Sequence, residues 1–193
     1  MIYVILVFVI LLLLAVGYVL STRCGGDHPW LRKMRRYAYA HRGLHDDTKP
    51  ENSMSAFRAA VAEGYGMELD VHLLKDGTLA VIHDSNLLRV TGQDGKVEDL
   101  TAPELWNYRL EGTEELIPTL EEVLDMVNGQ VPLIIELKCA NNNHEALCQA
   151  VCERLDGYKG IYCLESFDPR VVRWLRKKRP DIMRGQLAEN YFR

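Results

Sequence analysis

The chain has 193 residues, of which 48% are hydrophobic and 26% are charged, and its formal net charge is −4 at pH 7. This length and composition are typical of one globular domain with enough apolar side chains for a core. The negative charge gives no electrostatic reason to expect a nucleic-acid partner, and we expect none. The five cysteines are odd in number and lack the paired spacing of metal ligands, so we interpret them as free thiols in a reducing compartment.

The N-terminus begins with a long apolar run. Ile2 to Leu20 is interrupted only by Gly17, and as a helix rising about 1.5 Å per residue it would just span a bilayer core of about 30 Å. A cleaved signal peptide is the alternative, but no Lys or Arg precedes the run and Ser21-Thr22-Arg23 is a poor cleavage site. We therefore predict a transmembrane anchor over residues 1–21.

Basic residues follow this run and none precedes it. They occupy a linker over residues 22–36, and the rest of the chain, residues 37–193, forms the globular domain. Because Lys and Arg favour the cytoplasmic side of a membrane, we expect a single-pass protein whose domain lies in the cytoplasm.

Strand patterns alternate with helix patterns through the domain. Capping boxes at Thr101 and Thr119 and apolar residues at helical spacing mark the helices, and short apolar or β-prone runs mark the strands. The predicted strands are Tyr37–Ala40, Met67–Leu74, Leu79–Ile82, Leu133–Lys138, Ile161–Phe167 and Ile182–Leu187, and Lys75–Thr78 has the composition of a hairpin turn. The alternation predicts an α/β fold with a mostly parallel sheet and helices outside it.

One of these strands carries two carboxylates on a single face. Residues two apart on a strand point to the same side, which groups Glu68 with Asp70 and His72. Two neighbouring carboxylates repel each other unless a cation lies between them, and ligands that are all oxygen favour Mg²⁺ or Ca²⁺. A solvated polar face is the alternative interpretation of an isolated Glu-x-Asp pair.

Further polar residues fall where the predicted strands end. His41 and Arg42 follow the first strand, His83 follows the third, and Glu136 and Lys138 end the fourth. Parallel α/β folds, and (β/α)8 barrels in particular, place their chemistry at the C-terminal ends of strands. A complete barrel has eight strands and typically about 250 residues, so we expect an incomplete barrel with about six of its eight βα units, truncated at the C-terminus.

The ordered set of motifs resembles the glycerophosphodiester phosphodiesterase family. The resemblance extends from about Tyr39 to Phe167. The motifs that carry it are His41-Arg42-Gly43, Pro50-Glu51-Asn52-Ser53, Ala56-Phe57, Glu68-x-Asp70-Val71, Lys75-Asp76-Gly77, His83-Asp84, Leu88-x-x-Thr91-Gly92, Ile117-Pro118-Thr119-Leu120, Glu136-x-Lys138 and Ser166-Phe167. The resemblance implies a (β/α)8 barrel, in agreement with the architecture expected above.

The resemblance also implies a metal site. Glu68, Asp70 and Glu136 match the positions that bind a divalent ion in the family. Glu51 and Asn52 match positions near that ion, where we expect them to orient the groups that bind it, although capping of the following helix would also explain them.

Two histidines and two cations complete the implied site. His41 and His83 match the acid/base pair, with His41 as base and His83 as acid in the family's usual assignment. Arg42 offers a forked donor and Lys138 a point charge for the phosphate oxygens. Asp84 is expected to point away from His83 and to support the loop.

The resemblance implies metal-dependent hydrolysis of glycerophosphodiesters to sn-glycerol 3-phosphate and an alcohol. In the family, the attacking group is the glycerol hydroxyl next to the phosphate. The predicted anchor motivates a variant in which the substrate is a lysophospholipid and the enzyme is a lysophospholipase D. The alternative from another class is a catalytically silent, membrane-tethered module that binds phosphate.

Overall fold

The computed structural model describes residues 2–21 and 28–189 of the chain. Arg23 and Cys24 of the predicted linker lie outside these residues. Helix α1 comprises Ile2–Ser21. A search of the described residues for a helix long and apolar enough to cross a membrane identifies none. The transmembrane anchor over residues 1–21 remains a prediction from the sequence.

The domain is built on a sheet of six strands. The strands are β1 (Tyr39–Ala40), β2 (Gly66–Leu73), β3 (Leu79–Val81), β4 (Leu133–Leu137), β5 (Tyr162–Ser166) and β6 (Arg184–Gln186). All except β3 pair in parallel, in the order β1-β2-β4-β5-β6. The predicted α/β fold with a mostly parallel sheet is confirmed.

Strand β3 runs antiparallel to β2, so the prediction that every candidate strand supplies a βα unit is wrong. The turn between the two strands reverses the chain within a few residues. Gly77 has φ of +89°, and the carboxylate of Asp76 accepts a hydrogen bond of 3.0 Å from the backbone N–H of Thr78. Among the described residues, five strands are therefore parallel rather than six.

The antiparallel strand still places His83 close to β2, the strand that carries Glu68 and Asp70. Strand β2 extends beyond its pairing with β4, and β3 pairs with that extension. The chain then returns toward the middle of β2, where the N–H of Ile82 donates to the carbonyl of Asp70 at 3.0 Å. His83 is the next residue, so the hairpin places it beside the carboxylates.

Helices cover the sheet. Helix α2 (Leu31–Met34) lies within the predicted linker. The α-helices after residue 37 are α3 (Met54–Ala62), α4 (Leu88–Thr91), α5 (Leu120–Val127), α6 (His144–Leu155) and α7 (Pro169–Lys178). The helix predicted to open at Thr101 is a 3-10 helix over Ala102–Asn107, and a second 3-10 helix spans Val97–Asp99.

The two faces of strands β2 and β4 differ in chemistry. Met67, Leu69 and Val71 of β2 and Leu133 and Ile135 of β4 are fully buried in the main hydrophobic core with side chains of α3, α5, α6 and α7. Burial of apolar surface on this face stabilises the sheet by about 25 cal/mol per Å². The opposite face of the same strands carries the carboxylates, which are thereby held on a rigid support.

Asp168 caps the N-terminus of α7. Its carboxylate accepts a hydrogen bond of 2.9 Å from the backbone N–H of Arg170, and hydrogen bonds from the Arg170 side chain lower the pKa of Asp168 to about 2. Loss of such a cap typically costs about 1 kcal/mol. We expect Asp168→Ala to lower the free energy of unfolding by about that amount at pH 7.

The pH dependence of this effect has a defined sign. The pKa of Asp168 in the folded protein lies below its ordinary value of 3.8. The contribution of Asp168 to the free energy of unfolding is therefore fully present above pH 3.8 and is lost as the pH falls toward about 2. Urea unfolding of wild type and Asp168→Ala at several pH values measures the difference in their free energies of unfolding. Asp168→Asn, which keeps a capping oxygen, is the control and should lose less. Equal stability of wild type and Asp168→Ala at pH 7 would contradict the assignment.

Candidate active site

Three carboxylates from two adjacent strands form the centre of the site. The register pairs Asp70 of β2 with Glu136 of β4, and Glu68 lies two residues earlier on the same face of β2. Each residue offers one oxygen, and these oxygens all lie within 4.8 Å of one another. All three residues are at most 9% exposed. The structure thus brings together the three residues predicted to bind a metal.

Burial and charge crowding disfavour the ionised form of this cluster. Burial, followed by the charge of Asp70, raises the pKa of Glu68 to about 8. Burial is also the largest cause of a raised pKa at Glu136. A bound cation removes this penalty, because it favours the charged form of each carboxylate.

The donor set fits a hard divalent ion. Oδ1 of Asp70 is buried without a hydrogen-bond partner, although the ammonium of Lys138 lies 3.1 Å away. Three carboxylate oxygens are the ligand type that Mg²⁺ and Ca²⁺ prefer. Glu68, Asp70 and Glu136 could therefore hold one divalent ion.

Asn52 and Glu51 have different partners. The Asn52 amide donates to Oδ2 of Asp70 at 2.9 Å, and Asn52 adopts a left-handed backbone with φ of +53°. Its backbone N–H donates to the carbonyl of Arg42 at 2.9 Å. Glu51 instead accepts hydrogen bonds of 3.1 and 3.2 Å from the Arg42 guanidinium. Of the two predicted supporting residues, Asn52 orients a carboxylate of the triad and Glu51 orients a cation.

The two cations predicted to bind phosphate lie against the carboxylates. Lys138 Nζ is 2.8 Å from Oε1 of Glu136, and Arg42 Nε is 3.5 Å from Oδ2 of Asp70. The backbone N–H of Arg42 also donates to Glu68 at 3.0 Å. Fixed positive charge thus borders the site on two sides, which is what an anionic substrate requires.

His41 lies at the open side of the triad. Its Nε2 is 3.7 Å from Oε2 of Glu68, and its side chain is 68% exposed. Partial burial, with a further contribution from the charge of Arg42, lowers the pKa of His41 below its ordinary value of 6.5. His41 is therefore neutral at pH 7, as a general base requires.

His83 is paired with its neighbour in the chain. Nδ1 of His83 lies 2.6 Å from Oδ1 of Asp84. The expectation that Asp84 points away from His83 is wrong, because both residues follow the end of β3, where strand alternation no longer applies. The contact orients the imidazole ring. Hydrogen bonds from Arg89 and His83 outweigh the effect of burial and lower the pKa of Asp84.

A chain of ion pairs joins the two histidine loops. Arg89 of α4 donates to Asp84 and, at 2.6 Å, to Glu51. Glu51 in turn pairs with Arg42, which follows His41. Sequence reasoning missed Arg89, although it occupies an unspecified position of the Leu88-x-x-Thr91-Gly92 motif.

Removal of Arg89 should slow turnover. Arg89→Met breaks the bridge between Asp84 and Glu51, and we expect kcat to fall about tenfold, as for other groups that orient functional residues. Arg89→Lys, which cannot bind both carboxylates through a planar fork, should be intermediate. Steady-state kinetics measure the effect. The matched control is Arg109→Met, since Arg109 is 50% exposed, close to the 47% of Arg89, and pairs with Glu114 away from the site. An equal effect of both substitutions would contradict the positioning role.

A cavity of about 410 Å³ opens beside the triad. His83, Glu136, Lys138 and Ser166 line it, and Phe167, which is 49% exposed, lies at its edge. Glu165, which sequence reasoning also missed, pairs with Glu136 in the strand register. Burial, followed by the charge of Glu136, raises the pKa of Glu165 to about 7. The space is large enough for a small polar substrate beside the carboxylates.

Comparison with known proteins assigns the family. The model of the glycerophosphoryl diester phosphodiesterase family matches residues 41–191, which include all the site residues described above. The chain belongs to the glycerophosphoryl diester phosphodiesterase family. The resemblance seen in the motifs is thereby confirmed.

Named relatives of this family differ in activity. The chain is 34% identical to a glycerophosphodiester phosphodiesterase of Caldanaerobacter subterraneus over 81% of its own length and 68% of the relative. It is 42% identical to a glycerophosphodiester phosphodiesterase of Bacillus altitudinis over 54% of its length and 45% of the relative. It is 36% identical to rat lysophospholipase D GDPD1 over 74% of its length and 50% of the relative. The matched region thus spans about half of two of these relatives.

Solved structures of the family share the fold. A phosphodiesterase of Oleispira antarctica, solved in complex with the product sn-glycerol-3-phosphate, matches with a TM-score of 0.72 and 28% identity, over 78% of this chain and 65% of that one. A Thermotoga maritima glycerophosphodiester phosphodiesterase matches with a TM-score of 0.67 and 31% identity, over 80% and 63% of the two chains. The parallel sheet described here therefore corresponds to part of the family's barrel.

Proposed function

We propose that the protein hydrolyses glycerophosphodiesters to sn-glycerol 3-phosphate and an alcohol, using a divalent ion held by Glu68, Asp70 and Glu136. The observation that carries the proposal is the meeting of three buried carboxylates with His41 and His83 at one edge of a parallel sheet. The metal, the acid/base pair and the substrate class are proposals. The family membership and the product held by the Oleispira antarctica relative support them.

Charge stabilisation is the first requirement of the reaction. A divalent ion bound by the triad would neutralise developing negative charge on the phosphate oxygens. Arg42 and Lys138 supply fixed positive charge beside it, and the Arg42 fork is oriented by Glu51. These groups favour the transition state because they are held in place before the substrate arrives.

Proton transfer is the second requirement. His41, neutral at pH 7, accepts the proton of the attacking glycerol hydroxyl, and a cyclic phosphate forms as the alkoxide of the alcohol leaves. His83 donates a proton to that alkoxide, and the hydrogen bond to Asp84 orients its ring for the transfer. In the second step water opens the cyclic phosphate, with the two histidines in reversed roles.

A lysophospholipid is the second candidate substrate. Phe167 offers an exposed apolar surface at the edge of the cavity, where an acyl chain would find a partner. The similarity to rat lysophospholipase D GDPD1 favours the same substrate class. The single-pass membrane location, with the domain in the cytoplasm, remains a prediction from the sequence alone.

The silent phosphate-binding module is the weaker alternative. A module that only binds phosphate needs Arg42 and Lys138, but it has no need for a buried carboxylate triad or for two histidines. Both features are present at the site.

The test is product release by the full-length protein from two substrates. We expect glycerol 3-phosphate from glycerophosphocholine, no phosphocholine, and loss of turnover with EDTA. Cleavage of 1-acyl lysophosphatidylcholine alone would establish the second candidate in its place. Absence of turnover on both substrates with Mg²⁺, Ca²⁺ or Mn²⁺ present, in a folded protein, would reject both enzymes and favour the binding module.

A further inference from the structure

His72 lies on the metal-site face of β2 but is almost completely buried. It is 3% exposed and both of its ring nitrogens have partners. Nδ1 lies 2.7 Å from Oε1 of Glu98, and Nε2 lies 3.1 Å from the backbone carbonyl of His83. The hydroxyl of Ser85 donates to the other oxygen of Glu98 at 2.7 Å. Glu98 is therefore held between His72 and Ser85, and Ser85 lies two positions after His83.

The partners determine the direction of each hydrogen bond. A backbone carbonyl only accepts hydrogen bonds, so the N–H at Nε2 of His72 donates a hydrogen bond to the carbonyl of His83. Hydrogen bonds from His72 and Ser85 outweigh the effect of burial and lower the pKa of Glu98, which keeps it an acceptor. Glu98 thus fixes the His72 ring in the orientation that directs Nε2–H at His83.

Hydrogen bonds on either side of His83 attach its segment to the rest of the domain. His83 follows a strand of only three residues, and Ile82 is the last residue before it that bonds to β2. Beyond His83, the carbonyl of Ser85 accepts a hydrogen bond of 2.9 Å from Val97, at the start of the 3-10 helix that contains Glu98. The carbonyl of His83 lies between these two attachments, and His72 holds it.

We propose that His72, Glu98 and Ser85 form a unit that positions His83 for proton transfer. The proposal rests on the phosphodiesterase function given above. His72 and Ser85 border the cavity, but in this proposal they act through the backbone of His83 rather than through contact with substrate. Asp84 orients the ring of His83, whereas this unit fixes its backbone.

Two substitutions at His72 separate positioning from a structural role. The amide nitrogen of Gln reaches the place of Nε2, so His72→Gln keeps a donor for the His83 carbonyl and gives up the bond to Glu98. Asn places its amide at Nδ1, so His72→Asn keeps the bond to Glu98 and leaves the carbonyl of His83 without a donor. A merely structural role predicts the greater loss for Gln, because Gln leaves the buried Glu98 carboxylate with one partner fewer.

The proposal predicts the opposite order in kcat of the full-length protein with glycerophosphocholine. We expect kcat of His72→Asn to fall by about 10- to 100-fold with KM unchanged, and kcat of His72→Gln to stay closer to that of wild type. Equal kcat values, or a lower value for Gln than for Asn, would overturn it. Should both variants fail to fold, Ser85→Ala decides: a reduced kcat with unchanged KM supports the proposal, and a wild-type kcat contradicts it.

A second measurement does not depend on turnover. The ¹³C chemical shift of the His83 carbonyl reports its hydrogen bond, so it should change in His72→Asn and remain near the wild-type value in His72→Gln. An unchanged shift in both variants would overturn the positioning role even if the protein were inactive. An inactive wild type with the expected shifts would instead reject the phosphodiesterase function and leave the hydrogen-bonded unit in place.

Discussion

Asp70→Asn is expected to lower kcat for glycerophosphodiester hydrolysis by about 10³-fold or more, the loss that several kcal/mol of transition-state stabilisation represents. Asp70 is 1% exposed and lies at the centre of the site. It faces Glu136 in the strand register, receives the Asn52 amide, and lies 3.1 Å from the Lys138 ammonium. An amide in its place keeps the shape of the side chain but removes the negative charge and one anionic ligand.

The same substitution should leave the fold intact. The charge of Asp70 raises the pKa of its neighbour Glu68, so its removal relieves repulsion inside the cluster. The substitution also removes the attraction to Lys138 and Arg42, whose nitrogens lie 3.1 and 3.5 Å from the two Asp70 oxygens. Because the two changes offset each other, we expect Tm of Asp70→Asn, without added metal, to stay close to that of wild type. Asp125→Asn on the exposed face of α5 is the control and should keep full activity. Retention of turnover by Asp70→Asn would contradict the metal-site assignment.

The largest effects outside the carboxylates are expected at the two histidines. His41→Ala and His83→Ala should each lower kcat by about 10²- to 10⁴-fold, the usual contribution of general acid/base catalysis. His28→Ala, at a histidine whose Nε2 lies 3.1 Å from the backbone carbonyl of Asp181, should not. Steady-state kinetics with glycerophosphocholine measure all three.

The leaving group distinguishes the base from the acid. A glycerophosphodiester of p-nitrophenol leaves without protonation, so it needs no general acid. With this substrate His83→Ala should recover most of its activity, whereas His41→Ala should remain impaired. Recovery by His41→Ala in place of His83→Ala would show that the assignment of base and acid is reversed.

Local patterns in the sequence predicted the parts of the site that lie on strands. Period-two alternation placed Glu68 and Asp70 on one face of β2, and the structure has them there. The same rule applied to β4 placed Glu136 and Lys138 together, and they form an ion pair of 2.8 Å. A strand's pleat is a property of a few consecutive residues, so a single sequence is enough to assign it.

The contacts that support the histidines were beyond this reasoning. Arg89 reaches Glu51 across 38 positions of the chain, and Glu98 reaches His72 across 26. No local period encodes such pairs, because tertiary packing brings them together. The direction of β3 was missed for a different reason. The composition of Lys75–Thr78 predicts the hairpin turn. The prediction of about six βα units nevertheless counts β3 as one more parallel strand, whereas it is antiparallel to β2.

Metal binding tests the central claim most directly. Mg²⁺, Ca²⁺ or Mn²⁺ is titrated into protein stripped with EDTA, while bound ion per chain and turnover of glycerophosphocholine are followed together. We predict one ion per chain at the triad, turnover that recovers in proportion to it, and loss of both in Glu136→Gln. Full turnover in stripped protein, or unchanged ion binding by Glu136→Gln, would contradict a metal-dependent site at these three carboxylates.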